Sequence, residues 1–197
     1  MPETLKRLID IISFLPWIGE KTAAKLAFFL LKANGAYVKN FAKILNDLQD
    51  QIIECSHCHG MTDRDYPTCK ICDDVRRDRN VLCIVEDYLD MLSIDRVGIF
   101  KGRYHVLWGS ISPIQWTLAG DLTIEHLFER LENEKEITEL ILATNPNIEG
   151  EVTSLYIMEH IPRKDIKITR LSKGLPHAGS IEYADEITLL NAFKGRW

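Results

Sequence analysis

The 197-residue sequence has no run of about 18 apolar residues, which excludes a membrane-spanning helix of ordinary length. It has no internal repeat and no low-complexity segment, so a repeat array and a disordered tract are both set aside. Positive charge is not in excess: 24 Lys and Arg against 29 Asp and Glu give a net charge of −5, a weak argument against nucleic acid. The first residues, MPETLKRLIDII, lack the basic-then-apolar layout of a secretory signal, so a cytoplasmic protein is expected. Cysteine is scarce outside one stretch: four of the five lie between Glu54 and Asp78.

What is present is a soluble composition, 46% hydrophobic and 27% charged. The length suffices for a real core, as one medium domain with appendages or as two to three compact pieces. Charge is spread unevenly. Residues 1 to 45 carry seven basic residues against three acids, and residues 121 to 160 carry ten acids against Arg130 and Lys135. The basic end suits phosphate and the acidic stretch a basic partner, although two ordinary solvated surfaces would read the same way.

Helical spacing dominates the first 53 residues. Leu5, Leu8, Ile9, Ile12 and Leu15 form one run that Pro16 ends, and Ala23, Ala24, Leu26, Ala27, Leu30 and Leu31 a second that Asn34-Gly35 stops. Val38, Phe41, Ala42, Leu45, Leu48 and Ile52 line one face of a third. Residues 54 to 78 are polar, nearly without aliphatics, and need a staple to fold. Beyond them VLCIVE (81 to 86), GRYHVLWGS, ELILAT and DIKITRL read as strands. These alternate with helices at YLDMLSIDR, DLTIEHLFERLENE and EGEVTSLYIMEHI, which predicts a mostly parallel sheet. The tail adds a Gly/Pro turn and a short strand or helix.

Three constellations could carry chemistry. In CSHCHGMTDRDYPTCKIC, Cys55 and Cys58 are separated by two residues, as are Cys69 and Cys72. Two such knuckles close the tetrahedron of a structural Zn²⁺, with no position left for a catalytic water. Disulfides or an iron–sulfur cluster are the alternatives, and His57 or His59 could replace a cysteine. Cys83 lies mid-strand and reads as a small buried hydrophobe. In LPWIGEKTAAK, Gly19 can take a positive φ and let the backbone approach a ligand, while the following helix offers free N–H groups and its positive end. Lys21 and Lys25 share a helix face there, an arrangement for gripping phosphate without reading bases; a plain helical packing unit with surface lysines is the alternative. GEKT is not a nucleotide-binding P-loop, because its Gly and Lys are not adjacent. Third, Glu86 and the pair Asn145 and Asn147 fall at the carboxyl ends of two strands, which a parallel sheet brings to one crevice. One glutamate with two neutral amides suits Mg²⁺ poorly. Glu149 and Glu151 complement the dipole of the next helix.

Taken in this order, the features resemble one family, the RecR family of bacterial recombination mediators. The likeness runs through a helix-hairpin-helix segment (LPWIGEKTAAKLAFFLL), the four-cysteine zinc finger, a Toprim domain (VLCIVED, YHVLWGSISP, ILATNPNIEGE) and the ending TRLSKGLPHAGSIEYADEITLLNAF. The resemblance implies an α/β multi-part chain with a helix-hairpin-helix region (1–53), a zinc finger (54–78), a Toprim domain with a mostly parallel sheet (79–172) and a C-terminal Walker B-like segment (173–197). It implies a DNA-binding mediator of repair that binds single- and double-stranded DNA without sequence preference and forms homodimers or homotetramers. Such a protein acts with RecO and RecF to load RecA on gapped DNA coated by single-strand-binding protein.

Residue by residue, the resemblance makes Gly19, Lys21 and Lys25 DNA-contacting and Cys55, Cys58, Cys69 and Cys72 the Zn²⁺ ligands. Glu86, Asn145, Asn147 and Glu149 become a partner surface. ATNPNIEGE is similar to the ATDPDREGE of type IA topoisomerases, with Asn145 and Asn147 in place of two metal-binding aspartates. Trp17 stands where the hairpin usually has glycine, His177-Ala178-Gly179 replaces a frequent Val-Gly-Gly, and Gln115-Trp116-Thr117 replaces a glycine-containing loop. Asp185 and Glu186 are assigned no nucleotide hydrolysis. The expected protein is a non-enzymatic clamp. The rivals are a Mg²⁺-dependent Toprim nuclease or primase-like enzyme, and an interaction scaffold whose partners alone hold DNA.

Overall fold

Leucine, isoleucine and alanine spaced three and four apart build the first elements. In a computed structural model that describes residues 1–171, 182 and 186–194, α1 (Glu3–Ser13) and α2 (Glu20–Lys32) pack through Ile9, Ala23 and Ala27. Leu5, Leu8, Ile12 and Ile18 close around them, and the two small alanines let the helices approach closely. α3 (Gly35–Gln51) starts at Asn34, whose Oδ1 accepts the Ala36 N–H at 2.8 Å. No residue of α3 is buried; Tyr37, Phe41, Ile44, Leu45 and Leu48 all stand exposed. Its apolar face is therefore present as a surface.

The chain divides into two units, Met1–Ile52 and Ile53–Trp197. β1 (Ile52–Glu54), which begins at that boundary, and β2 (Met61–Asp63) form a two-stranded sheet with Cys55 and Cys58 in the loop between them, and α4 (Lys70–Asp73) carries Cys72. The main sheet follows from β3 (Val81–Val85), β4 (Arg103–Val106), β5 (Glu139–Ala143) and β6 (Lys167–Arg170), all parallel, in the order β4-β3-β5-β6. Helices α5 (Tyr88–Val97), α6 (Ile124–Asn133) and α7 (Ile148–His160) connect the strands, and α8 (Glu186–Lys194) lies near the end of the chain. The α/β class with a parallel sheet is as the sequence predicts. No described helix is long and apolar enough to cross a membrane. The turn expected at LPHAG, with Asp185, lies outside the described residues.

Alternation along the strands feeds two cores. Leu82, Ile84, Leu140 and Leu142 point to one side, where Leu127, Leu131 and Ile157 meet them; Cys83, Val85 and Ala143 point to the other, with Met91 and Tyr104. Both faces are covered, which is why these strands read as continuous apolar runs. From β3 the chain moves to one neighbour, β4, and later returns to the other, β5. That reversal opens the crevice of a parallel sheet at the carboxyl ends of β3 and β5, where Val85 and Ala143 are in register.

Candidate functional site

The two cysteine knuckles converge. The sulfurs of Cys55, Cys58, Cys69 and Cys72 all lie within 4.8 Å of one another, and none is in a disulfide. Gly60 N–H donates to Cys58 Sγ at 3.4 Å and Cys69 N–H to Cys55 Sγ at 3.3 Å, contacts that favour thiolates. Hydrogen bonds from Cys58, then from Cys69 and Cys72, pull the Cys55 thiol far below its usual range. Cys58 and Cys72 are pushed up, first by their hydrogen bonds with Cys55. The set resists carrying four negative charges by itself, and a bound cation removes that resistance. Four sulfurs at this spacing fit a closed metal site.

His57 and His59 stand outside that group of ligands; their carbonyls serve to dock the finger. Arg130 Nη1 donates to His57 O at 3.0 Å, Trp108 Nε1 to His59 O at 2.6 Å, and Val106 N–H to Cys58 O at 2.8 Å.

At the crevice, Glu86 follows β3 directly and is only 6% exposed. Asn145 occupies both of its carboxylate oxygens, the backbone N–H bonding Oε1 at 2.8 Å and the side-chain Nδ2 bonding Oε2 at 2.6 Å. Asn147 caps α7, its Oδ1 accepting Gly150 N–H at 2.8 Å. Glu149 and Glu151 sit in the first turn of α7, and Arg170 binds Glu151 through two nitrogens at 2.7 and 2.9 Å. The structure thus brings Glu86 and Asn145 into contact and seats Asn147 one step away, at the helix start. Mg²⁺ seeks several anionic oxygens, and here one buried carboxylate stands beside two neutral amides.

At the hairpin, Leu15 to Ile18 make a turn closed by Ile18 N–H to Leu15 O at 3.1 Å. Pro16 presets its second position, and Trp17 takes the third at φ 67°, where a turn of this type asks for glycine. A side chain in that left-handed region costs about 1 kcal/mol. Gly19 does not supply the positive φ expected of it: its φ is −81°, an extended N-cap for α2. The conformational demand falls two residues earlier, because Pro16 fixes where the turn begins. Gly19 offers no side-chain cap, so the first N–H groups of α2 stay open toward a ligand. Lys21 and Lys25 are both exposed on that helix.

Comparison with known proteins fits this layout. Residues 5–48 match the family model described as RecR, helix-hairpin-helix, residues 80–172 that of the Toprim domain, and residues 174–196 that of RecR, C-terminal. Recombination protein RecR of Staphylococcus aureus is 47% identical over 195 residues, spanning 99% of this chain and 97% of its own. The Recombination protein RecR of Natranaerobius thermophilus is 43% identical over 195 residues (99% and 96%), and that of Myxococcus xanthus 42% (99% and 98%). The chain belongs to the RecR family. Within this RecR-family chain the four cysteines fall between the hairpin and Toprim matches, while Trp17 lies inside the first and the crevice residues inside the second.

Sequence reasoning misses three residues here. Gly150 is one, since a Cβ there would sit 2.2 Å from Asn145 O and 2.6 Å from Glu86 Oε1. Arg130 is buried, bonding Tyr104 O at 2.8 Å and Glu134 Oε1 at 2.8 Å besides the finger. His105 is fully buried, with Nε2 on Thr123 at 3.1 Å; burial, then the Arg130 charge, hold its pKa down at about 3. The run ATNPNIEGE flags Gly150 by its position at a helix start, but Arg130 and His105 carry no comparable signal.

Proposed function

We propose that this chain is a non-catalytic, DNA-binding recombination mediator of repair. It acts in the cytoplasm with RecO and RecF to place RecA on gapped DNA, single-strand-binding protein being handled indirectly. The carrying observation is the hairpin: an uncapped α2 start at Gly19 followed by exposed Lys21 and Lys25, in a chain of the RecR family. Open N–H groups and two cations suit phosphate, and phosphate contacts carry no sequence information, so both single- and double-stranded DNA are bound. The crevice supports the non-catalytic reading, because its one buried carboxylate, Glu86, is joined by the neutral amides Asn145 and Asn147 where Mg²⁺ chemistry asks for several anionic oxygens.

The four thiolates hold Zn²⁺, which fixes the finger and supplies no reaction. Glu86 acts from below the surface by orienting Asn145, leaving Asn145, Asn147 and Glu149 as the part a partner such as RecO touches. The apolar face of α3, with Phe29 and Tyr37 in edge contact beside it, is where a second copy packs to form the dimer or tetramer. On this reading residues 1–53, 54–78, 79–172 and 173–197 divide the work.

The test is binding of the metal-loaded protein to DNA across a salt series. Lys21→Ala with Lys25→Ala should weaken binding and lower the salt slope by about 2, roughly one per lost phosphate contact. An unchanged slope in the folded double variant refutes the hairpin assignment, and Mg²⁺-dependent cleavage of DNA refutes the non-catalytic one.

A further inference from the structure

We propose that Trp17 is a stacking platform for an unpaired base, which makes the hairpin favour single-stranded or gapped DNA over intact duplex. The inference rests on the DNA-binding reading and extends it. Folding gives no reason for Trp17: its turn position asks for glycine, and its side chain is 102% exposed. Trp108 shows the contrast, having a similar φ of 63° but a ring packed against the core and an Nε1 bonded to His59 O. There packing and a hydrogen bond offset the backbone cost, and at Trp17 neither does. A strained residue that contributes nothing to the fold is a candidate for contact with something else.

The surroundings say what that is. Phe14, at 89% exposed, lies just before the turn and exposed Leu15 opens it, while the open N–H groups of α2 with Lys21 and Lys25 lie just after it. A partner served by both sides presents flat apolar faces and anionic groups in alternation, which is the chemistry of a single strand of nucleic acid. In a duplex the base faces are buried in the stack, so an indole reaches them only at a gap, an end or an unpaired base. Pro16 and the Ile18 to Leu15 hydrogen bond hold the backbone of the turn, so only the two torsions of the indole are left to order when a base settles on the ring.

The experiment compares the metal-loaded full chain with Trp17→Gly, Trp17→Phe and the Lys21→Ala, Lys25→Ala variant. Each is titrated with a single-stranded oligonucleotide, the matching duplex and an abasic single strand. Trp17→Gly should bind single strands about tenfold more weakly, in the range of one base stack, with its salt slope unchanged. Its duplex affinity should stay within about twofold because the phosphate contacts remain. Trp17→Phe should recover most of the loss, and the abasic strand should abolish the difference between wild type and Trp17→Gly. Equal loss on single strand and duplex, no loss at all, or a drop in the mass of the free protein overturns the proposal; the last makes Trp17 a contact between copies. If wild type binds single strand and duplex and only the lysine variant loses them, the DNA reading stands and the Trp17 proposal fails. If wild type binds neither at low salt, both fail.

Discussion

The crevice and the finger of the second unit are closed largely by their own hydrogen bonds, and the hairpin of the first unit is not. In the crevice, Asn145 gives each Glu86 oxygen a donor and Asn147 accepts the Gly150 N–H. In the finger, the sulfurs face one another and the carbonyls of His57, Cys58 and His59 are taken by the sheet side. The first unit leaves Trp17, Phe14 and the face of α3 in water, along with the N–H groups at the start of α2. Groups already matched have less left to offer a metal or a phosphate, and unmatched ones still have their interaction energy to gain. The difference teaches where DNA contacts should be sought in a chain whose most enzyme-like crevice already gives its buried carboxylate amide donors.

The comparison breaks hardest if the finger is emptied. Chelation should cost on the order of 10 kcal/mol of local folding energy. Hydrogen exchange should rise first over residues 54–78 and at Val106, which loses its acceptor Cys58 O; unchanged exchange there would contradict a structural metal. Next is Asn145→Asp, which sets a second carboxylate against buried Glu86 and should destabilise by about 3 kcal/mol. Millimolar Mg²⁺ should restore part of the lost Tm by standing between the two charges, and a variant as stable as wild type would show that Asn145 does not hold Glu86.

Acid gives a smaller effect. The His105 pKa is about 3 when folded against 6.5 ordinarily, so below pH 6.5 the unfolded chain takes up a proton that the folded one refuses. Stability contributed by neutral His105 is whole above pH 6.5 and is lost progressively toward pH 3, amounting to about 2 kcal/mol by pH 5. A His105→Gln variant should show a flatter denaturation profile across that window. The smallest change has the opposite sign: Trp17→Gly should stabilise the first unit by about 1 kcal/mol by relieving the left-handed backbone. A denaturant midpoint that falls instead would mean that the indole packs on something in solution.

Much of this was readable because periodicity survives folding. The β3 and β5 runs are apolar because both faces are covered, and their parallel pairing brings Glu86 and Asn145 to one end. That a single asparagine would bond both glutamate oxygens was not readable, since it depends on the register of Val85 with Ala143 and on the direction of one amide. Arg130 reads as a solvated residue of an amphipathic helix, because its acceptors lie on segments distant in sequence. The apolar period of α3 announces that a face needs covering and cannot say whether the cover belongs to the same chain. Residue type alone allows a positive φ at Gly19, whereas hydrogen-bond closure from Leu15 to Ile18 puts it on Trp17.

One contact of the finger reaches beyond holding a loop in place. β4 is an outer strand, and Val106 N–H ends in Cys58 O instead of facing water. Outer strands with free backbone groups are templates on which other chains assemble into aggregates. Four cysteines closed on an ion would therefore act as a guard on the rim of the sheet, and removal of metal should show itself as turbidity before any loss of helix is detected.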